Sequence, residues 1–175
     1  MKKSLLIGTI VVATSALPMA GAFAATEFTD TINITVSAAC SLSRSAGAGT
    51  YSATLAVNAA NNNVGSSTLS AACNAAKGYT VKLTSTDLTN STVSTYTIPF
   101  STTAPAAGTS AWAVAKGTSS SSTYIANNGT VMSTTAADTS TTPATQQVTY
   151  KASTSTTQAA GTYSGTAKYT LTQNT

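Results

Sequence analysis

Apolar side chains recur at every second position in several short stretches of this chain, and that period constrains the fold more than any other feature. Between Ala25 and Cys40 (ATEFTDTINITVSAAC), Phe28, Asp30, Ile32, Ile34 and Val36 share one face of an extended strand, and Thr29, Thr31, Asn33, Thr35 and Ser37 share the other. Tyr79, Val81 and Leu83 alternate with Thr80, Lys82 and Thr84. Near the end, Tyr163, Gly165, Ala167, Tyr169 and Leu171 alternate with Ser164, Thr166, Lys168, Thr170 and Thr172, which reads as one long terminal strand. Period two is the mark of a half-buried strand. No stretch beyond the first 24 residues sustains the 3.6-residue period of an amphipathic helix.

Weaker segments fill the space between. Ser41-Leu42-Ser43 continues the opening strand past Cys40, and Ser45–Gly49 breaks it. Tyr51, Ala53, Leu55 and Val57 suggest another strand, and Asn61-Asn62-Asn63 with Gly65 reads as a turn. Leu69, Ala71 and Cys73 share a face. Tyr96, Ile98 and Phe100 do the same, and Pro99, which removes a ladder donor, makes that segment an edge strand or a strand end. Ala111–Ala115 carries the only tryptophan, Trp112. Asn127-Asn128-Gly129 is a turn favouring positive φ, Val131-Met132 starts a short strand, and Val148, Tyr150 and Ala152 alternate once more. Seven or eight short strands separated by turn signals imply an all-β sandwich.

The first 24 residues have a different character. Lys2 and Lys3 precede a mostly apolar run from Leu5 to Leu17, and Ala22-Phe23-Ala24 offers a small-x-small cleavage pattern. That combination predicts a secretory signal peptide over residues 1–24, leaving a chain of single-domain length from Ala25. Once Lys2 and Lys3 are set aside, the formal charge of +4 halves. Arg44, Lys77, Lys82, Lys116, Lys151 and Lys168 are scattered and read as solvated surface, with no basic patch for nucleic acid. In an exported chain, the two cysteines, Cys40 and Cys73, are expected to form a disulfide. Closing that loop is worth roughly 3–4 kcal/mol in the chain-entropy picture. Two cysteines without any histidine make a poor metal site, so no metal is expected.

The residue types present argue against catalysis. The absence of histidine removes a histidine-dependent triad or base. The four acids, Glu27, Asp30, Asp87 and Asp138, suggest no carboxylate pair, and no glycine-rich piece is followed by the Lys-Ser/Thr of a phosphate loop. No catalytic residue and no cofactor are expected. Tyr79, Tyr163 and Tyr169 could form a carbohydrate-stacking set, but each lies on the apolar face of its strand, which favours core tyrosines.

The order of four segments resembles the pilin-type domains of the chaperone–usher class, in particular the archaic pilins and the related spore coat protein U domain. The segments are a short opening stretch running into a cysteine (TINITVSAAC), a strand ending in the partner cysteine and followed by another (LSAACNAAKGYTVKLTS), a central AWAV, and the closing QVTYKASTSTTQAAGTYSGTAKYTLTQ. Together they cover most of the chain after Ala25. The resemblance implies an immunoglobulin-like β-sandwich that lacks its final strand. Residues 25–38 would be a donor-strand segment whose Phe28, Ile32, Ile34 and Val36 enter a neighbour's groove. Tyr163, Ala167, Tyr169 and Leu171 would line the acceptor edge, where a chaperone also docks. Implied partners are identical or related pilin subunits, a periplasmic chaperone and an outer-membrane usher, with export through the periplasm to a cell-surface pilus serving adhesion or biofilm formation. The competing expectation is a self-contained secreted β-sandwich acting as a coat, matrix or ligand-binding protein. In that case the opening strand pairs within its own sheet.

Overall fold

The computed structural model describes residues 31–47, 49–117, 123–137 and 142–175. The expected signal peptide, Phe28, Asp30 and most of the Ser/Thr loop at 118–123 lie outside the described residues. The chain divides into a unit ending at Thr35 and a unit from Val36 to Thr175. Within the first unit, residues 31–35 belong to no strand.

The second unit is all-β. Among the described residues it holds eleven strands and no helix. Five form an antiparallel sheet in the order β1 (Cys40–Ala46), β2 (Asn62–Cys73), β9 (Ala144–Ser153), β6 (Ala111–Lys116), β7 (Thr123–Tyr124). A second sheet runs β11 (Ala167–Gln173), β3 (Tyr79–Ser85), β8 (Thr130–Thr134), and a third β10 (Tyr163–Ser164), β4 (Leu88–Asn90), β5 (Thr97–Ile98).

One core joins these sheets. Leu69, Ala71 and Cys73 of β2, Val148 and Ala152 of β9, and Trp112 and Val114 of β6 meet Tyr79, Val81 and Leu83 of β3 and Val131 of β8. The alternation in β3 is borne out: Tyr79, Val81, Leu83 and Ser85 are buried while Thr80, Lys82 and Thr84 are not. Each fully buried apolar side chain of this kind contributes about 1.5–3 kcal/mol. The Cys40–Cys73 disulfide is present and pins the first residue of β1 to the last of β2, which are also register partners.

Several expectations are corrected. Tyr51–Val57 forms no strand. Tyr51 and Leu55 tuck inward singly, Val57 is 67% exposed, and a turn closed by the Ala59 N–H on Ala56 C=O follows, with Asn58 at positive φ. Asn61–Gly65 is not a turn. Only Asn61 adopts a turn-like positive φ, and β2 starts at Asn62 with a bulge between Asn63 and Gly65. Gly65 is there because the Tyr51 ring fills the space a side chain would need. The expected strand around Tyr96–Phe100 shrinks to Thr97–Ile98, with Tyr96 exposed and Phe100 making a single bridge to Trp112. The expected long terminal strand breaks at Gly165-Thr166 into β10 and β11, which belong to different sheets. The break mirrors one at Thr86-Asp87 on the partner strand, where Thr86 and Thr166 exchange hydrogen bonds. Lys151, expected at the surface, is buried at 8% exposure, because β9 is a central strand paired on both sides.

Candidate functional site

Two sheet edges meet on one side of the molecule. β1 pairs only with β2, and β11 pairs only with β3, through all seven of its residues from Ala167 opposite Ser85 to Gln173 opposite Tyr79. β1 and β11 belong to different sheets, yet Cα atoms of the two strands approach within 8 Å. No ladder joins them. Each therefore presents a row of backbone donors and acceptors without a strand partner among the described residues, a liability that β proteins normally cover.

Partly buried apolar side chains lie along both of these edges. Ala167, Tyr169 and Leu171 point the same way as their buried partners Ser85, Leu83 and Val81, yet are only half-buried. On β1, Leu42 lies opposite the fully buried Ala71 and is itself half-buried. Leu42, Tyr169 and Leu171 all pack against the main core.

Arg44 shares the inward face of β1 with Leu42, two positions along, opposite the buried Leu69. Its Nε donates to the Ser67 hydroxyl at 3.0 Å, and the Tyr51 hydroxyl donates to the same oxygen at 3.1 Å. The Tyr51 ring lies 4.9 Å from that of Tyr150, whose hydroxyl meets the Tyr169 hydroxyl at 3.1 Å. Burial pushes the Tyr169 phenol far above its ordinary range, reinforced by Tyr150. Burial also raises that of Tyr150, only partly offset by its bond to Tyr169 and by the positive charge of Arg44. Both phenols are therefore neutral hydrogen-bonding groups at any physiological pH. One end of the gap is apolar, at Leu42 and Leu171, and the other is polar, at Arg44 and the tyrosine pair.

At the apolar end the chain enters β1. The Asn74 side chain holds the incoming backbone: its Oδ1 accepts from the Ala39 N–H at 2.5 Å and its Nδ2 donates to Ser37 C=O at 3.2 Å, while the Asn74 N–H donates to Ala39 C=O. Next to it, Ala39–Ser41 and Ala72–Asn74 line a shallow concavity of about 290 Å³. Upstream, Ile32, Ile34 and Val36 are 80%, 82% and 79% exposed, and residues 31–39 form neither strand nor turn.

The sequence-derived acceptor residues divide. Ala167, Tyr169 and Leu171 line the gap. Tyr163 sits on β10, and its hydroxyl donates to Ala159 C=O and accepts from Gln158 in its own loop. Of the expected donor residues, Ile32, Ile34 and Val36 are described and Phe28 is not. The tyrosines do not form a stacking platform: Tyr79 is fully buried, and Tyr163 and Tyr169 are half-buried on separate strands. Sequence reasoning missed Arg44, Tyr51 and Asn74. The alternation Cys40, Leu42, Arg44 was the available signal for the first.

No family model, no curated protein and no solved structure matches this chain.

Proposed function

We propose that the chain is a structural subunit of a surface pilus, polymerising by donor-strand complementation and so supporting adhesion or biofilm formation. One complementarity carries this reading. The strand β11 has an edge without a strand partner among the described residues and a half-buried apolar face, and the same chain exposes Ile32, Ile34 and Val36 at the spacing of one strand face. Backbone hydrogen bonds along β11 would supply affinity, and alternate side chains entering the gap would supply register. Each isoleucine or valine buried there would contribute about 1.5–3 kcal/mol.

In this reading the sandwich is an immunoglobulin-like fold without its last strand. A periplasmic chaperone would cover the β11 edge before assembly, and an outer-membrane usher would pass the subunit to the surface. Residues 1–24 would direct export and be removed.

The test compares the chain from Ala25 with one beginning at Ser37. The longer chain is expected to form heat-stable, SDS-resistant ladders and the shorter to remain monomeric. A stable monomer from Ala25 that unfolds on truncation to Ser37 would contradict the proposal and give the opening segment to its own sandwich.

A further inference from the structure

Asp30 occupies an unfavourable place in the sequence. In the sequence alternation it falls in step with Phe28, Ile32, Ile34 and Val36, the positions that the donor-strand reading puts into a neighbour's core, whereas Glu27 falls out of step. A carboxylate carried into an apolar gap without a partner is strongly unfavourable. The gap is not apolar throughout. Arg44, the only arginine in the chain, sits at its polar end on the inward face of β1, and the Tyr150 and Tyr169 hydroxyls lie at the same end. The lysines on the two neighbouring strands of the second sheet, Lys82 and Lys168, project from its outer face.

We propose, resting on the donor-strand reading above, that Asp30 of one subunit enters the gap of a second copy and pairs with Arg44 there, fixing the register of the inserted strand. Tyr150 and Tyr169 together carry two hydroxyl hydrogens, and their mutual bond uses one. The other can be donated to the carboxylate. With Asp30 level with Tyr169, its face-mates Phe28 and Ile32 fall level with Ala167 and Leu171, whichever way the strand runs. A slip of two residues would keep the same face inward but carry the carboxylate off Arg44 to the level of Leu171 or Ala167. The pair thus penalises the one misregister that the apolar pattern tolerates.

The occupant is a second copy rather than the chain's own segment. β1 starts and β11 ends at the same end of the molecule: Asn74 holds Ser37 and Ala39 there, and Asn174 bonds Lys77 and Gly78 C=O. For the chain to enter its own gap, it would have to reverse between Val36 and Cys40. Those residues contain no turn and are held by Asn74.

The test uses full-length chains carrying Asp30→Leu, Asp30→Arg, Arg44→Asp, or Asp30→Arg with Arg44→Asp. It follows the rate at which SDS-resistant dimers dissociate at a fixed temperature. Wild-type ladders that are lost in the chain beginning at Ser37 support the donor-strand reading; the absence of wild-type ladders overturns that reading and this inference together. Given ladders, each single variant is expected to dissociate about tenfold faster or more, and the charge-swapped chain to recover most of the loss. Asp30→Leu dimers as durable as wild type or more so would overturn the pairing, since a merely apolar slot prefers leucine. So would a charge swap no better than its parents. Monomer melting curves check that each variant folds. If Arg44→Asp does not fold, Asp30→Leu, which changes a residue ahead of the disulfide-anchored sandwich, decides alone.

Discussion

The hydroxyls of Tyr150 and Tyr169 meet at 3.1 Å, and the two residues come from different sheets, β9 and β11. Their contact ties the free-edged strand β11 to the central strand of the larger sheet. Replacing Tyr169 with Phe leaves the Tyr150 hydroxyl half-buried without that partner and is expected to cost about 1–2 kcal/mol in urea denaturation. Tyr150→Phe should cost a similar amount. The double variant should lose less than the sum, by about 0.5 kcal/mol or more. Strict additivity would show that the two hydroxyls do not depend on each other.

The same pair predicts an alkaline limit. Burial raises both phenols above their ordinary value of 10.0. In the unfolded chain they ionise near pH 10, while in the folded chain they hold their protons to higher pH, so the folded state binds more protons above pH 10. Their contribution to stability is complete below pH 10 and falls as pH rises beyond it, by up to about 1.4 kcal/mol per pH unit for Tyr169. The melting temperature of Tyr169→Phe should therefore fall less steeply than wild type above pH 10. Equal slopes would place the Tyr169 hydroxyl in water.

Gly65 underlies the Tyr51 ring, and the ring occupies the volume a methyl group would need. Gly65→Ala is expected to destabilise the protein by about 1–3 kcal/mol, since the bulged strand and the ring must separate. In a chain that also carries Tyr51→Ala, the same substitution should cost much less. An unchanged cost would put the strain in the backbone.

Cys40–Cys73 closes a loop with a sequence separation of 33. Replacing both cysteines with Ser should lower stability by roughly 3–4 kcal/mol and release the start of β1 from the end of β2. Hydrogen exchange should then quicken at Ser41 and Leu42 before it does at Val81 or Leu83. Uniform quickening would show that the disulfide supports the whole core equally.

Much of this architecture was legible because the alternation in β3 and in Ala167–Leu171 is strong and its apolar members are large. The disulfide was legible from the cysteine count and the signal-like start. What escaped had local reasons. Asn62–Gly65 looks like a turn by composition, but the strand tolerates it because Gly65 makes room for Tyr51 and a bulge absorbs the extra residue. β4 is three residues long, too short to show a period; Asn90 shapes the turn after it, accepting from the Thr92 and Val93 N–H groups. Arg44 reads as surface because arginine is charged, and it is exposed. Its position opposite Leu69 is a property of the β1–β2 register, which the sequence of β1 alone does not contain.

The most direct measurement is amide hydrogen exchange along β11 in isolated subunits and in assembled ladders. Among the described residues, 167–173 pair on one side only, so amides directed away from β3 should exchange quickly in the monomer. Assembly should protect them by a hundredfold or more, as expected for ladder hydrogen bonds in a packed core. The same protection should be absent in chains beginning at Ser37. Ladders in which β11 exchanges as it does in the monomer, or protection that persists without residues 25–36, would contradict the assignment of β11 as the edge that receives a neighbour's strand.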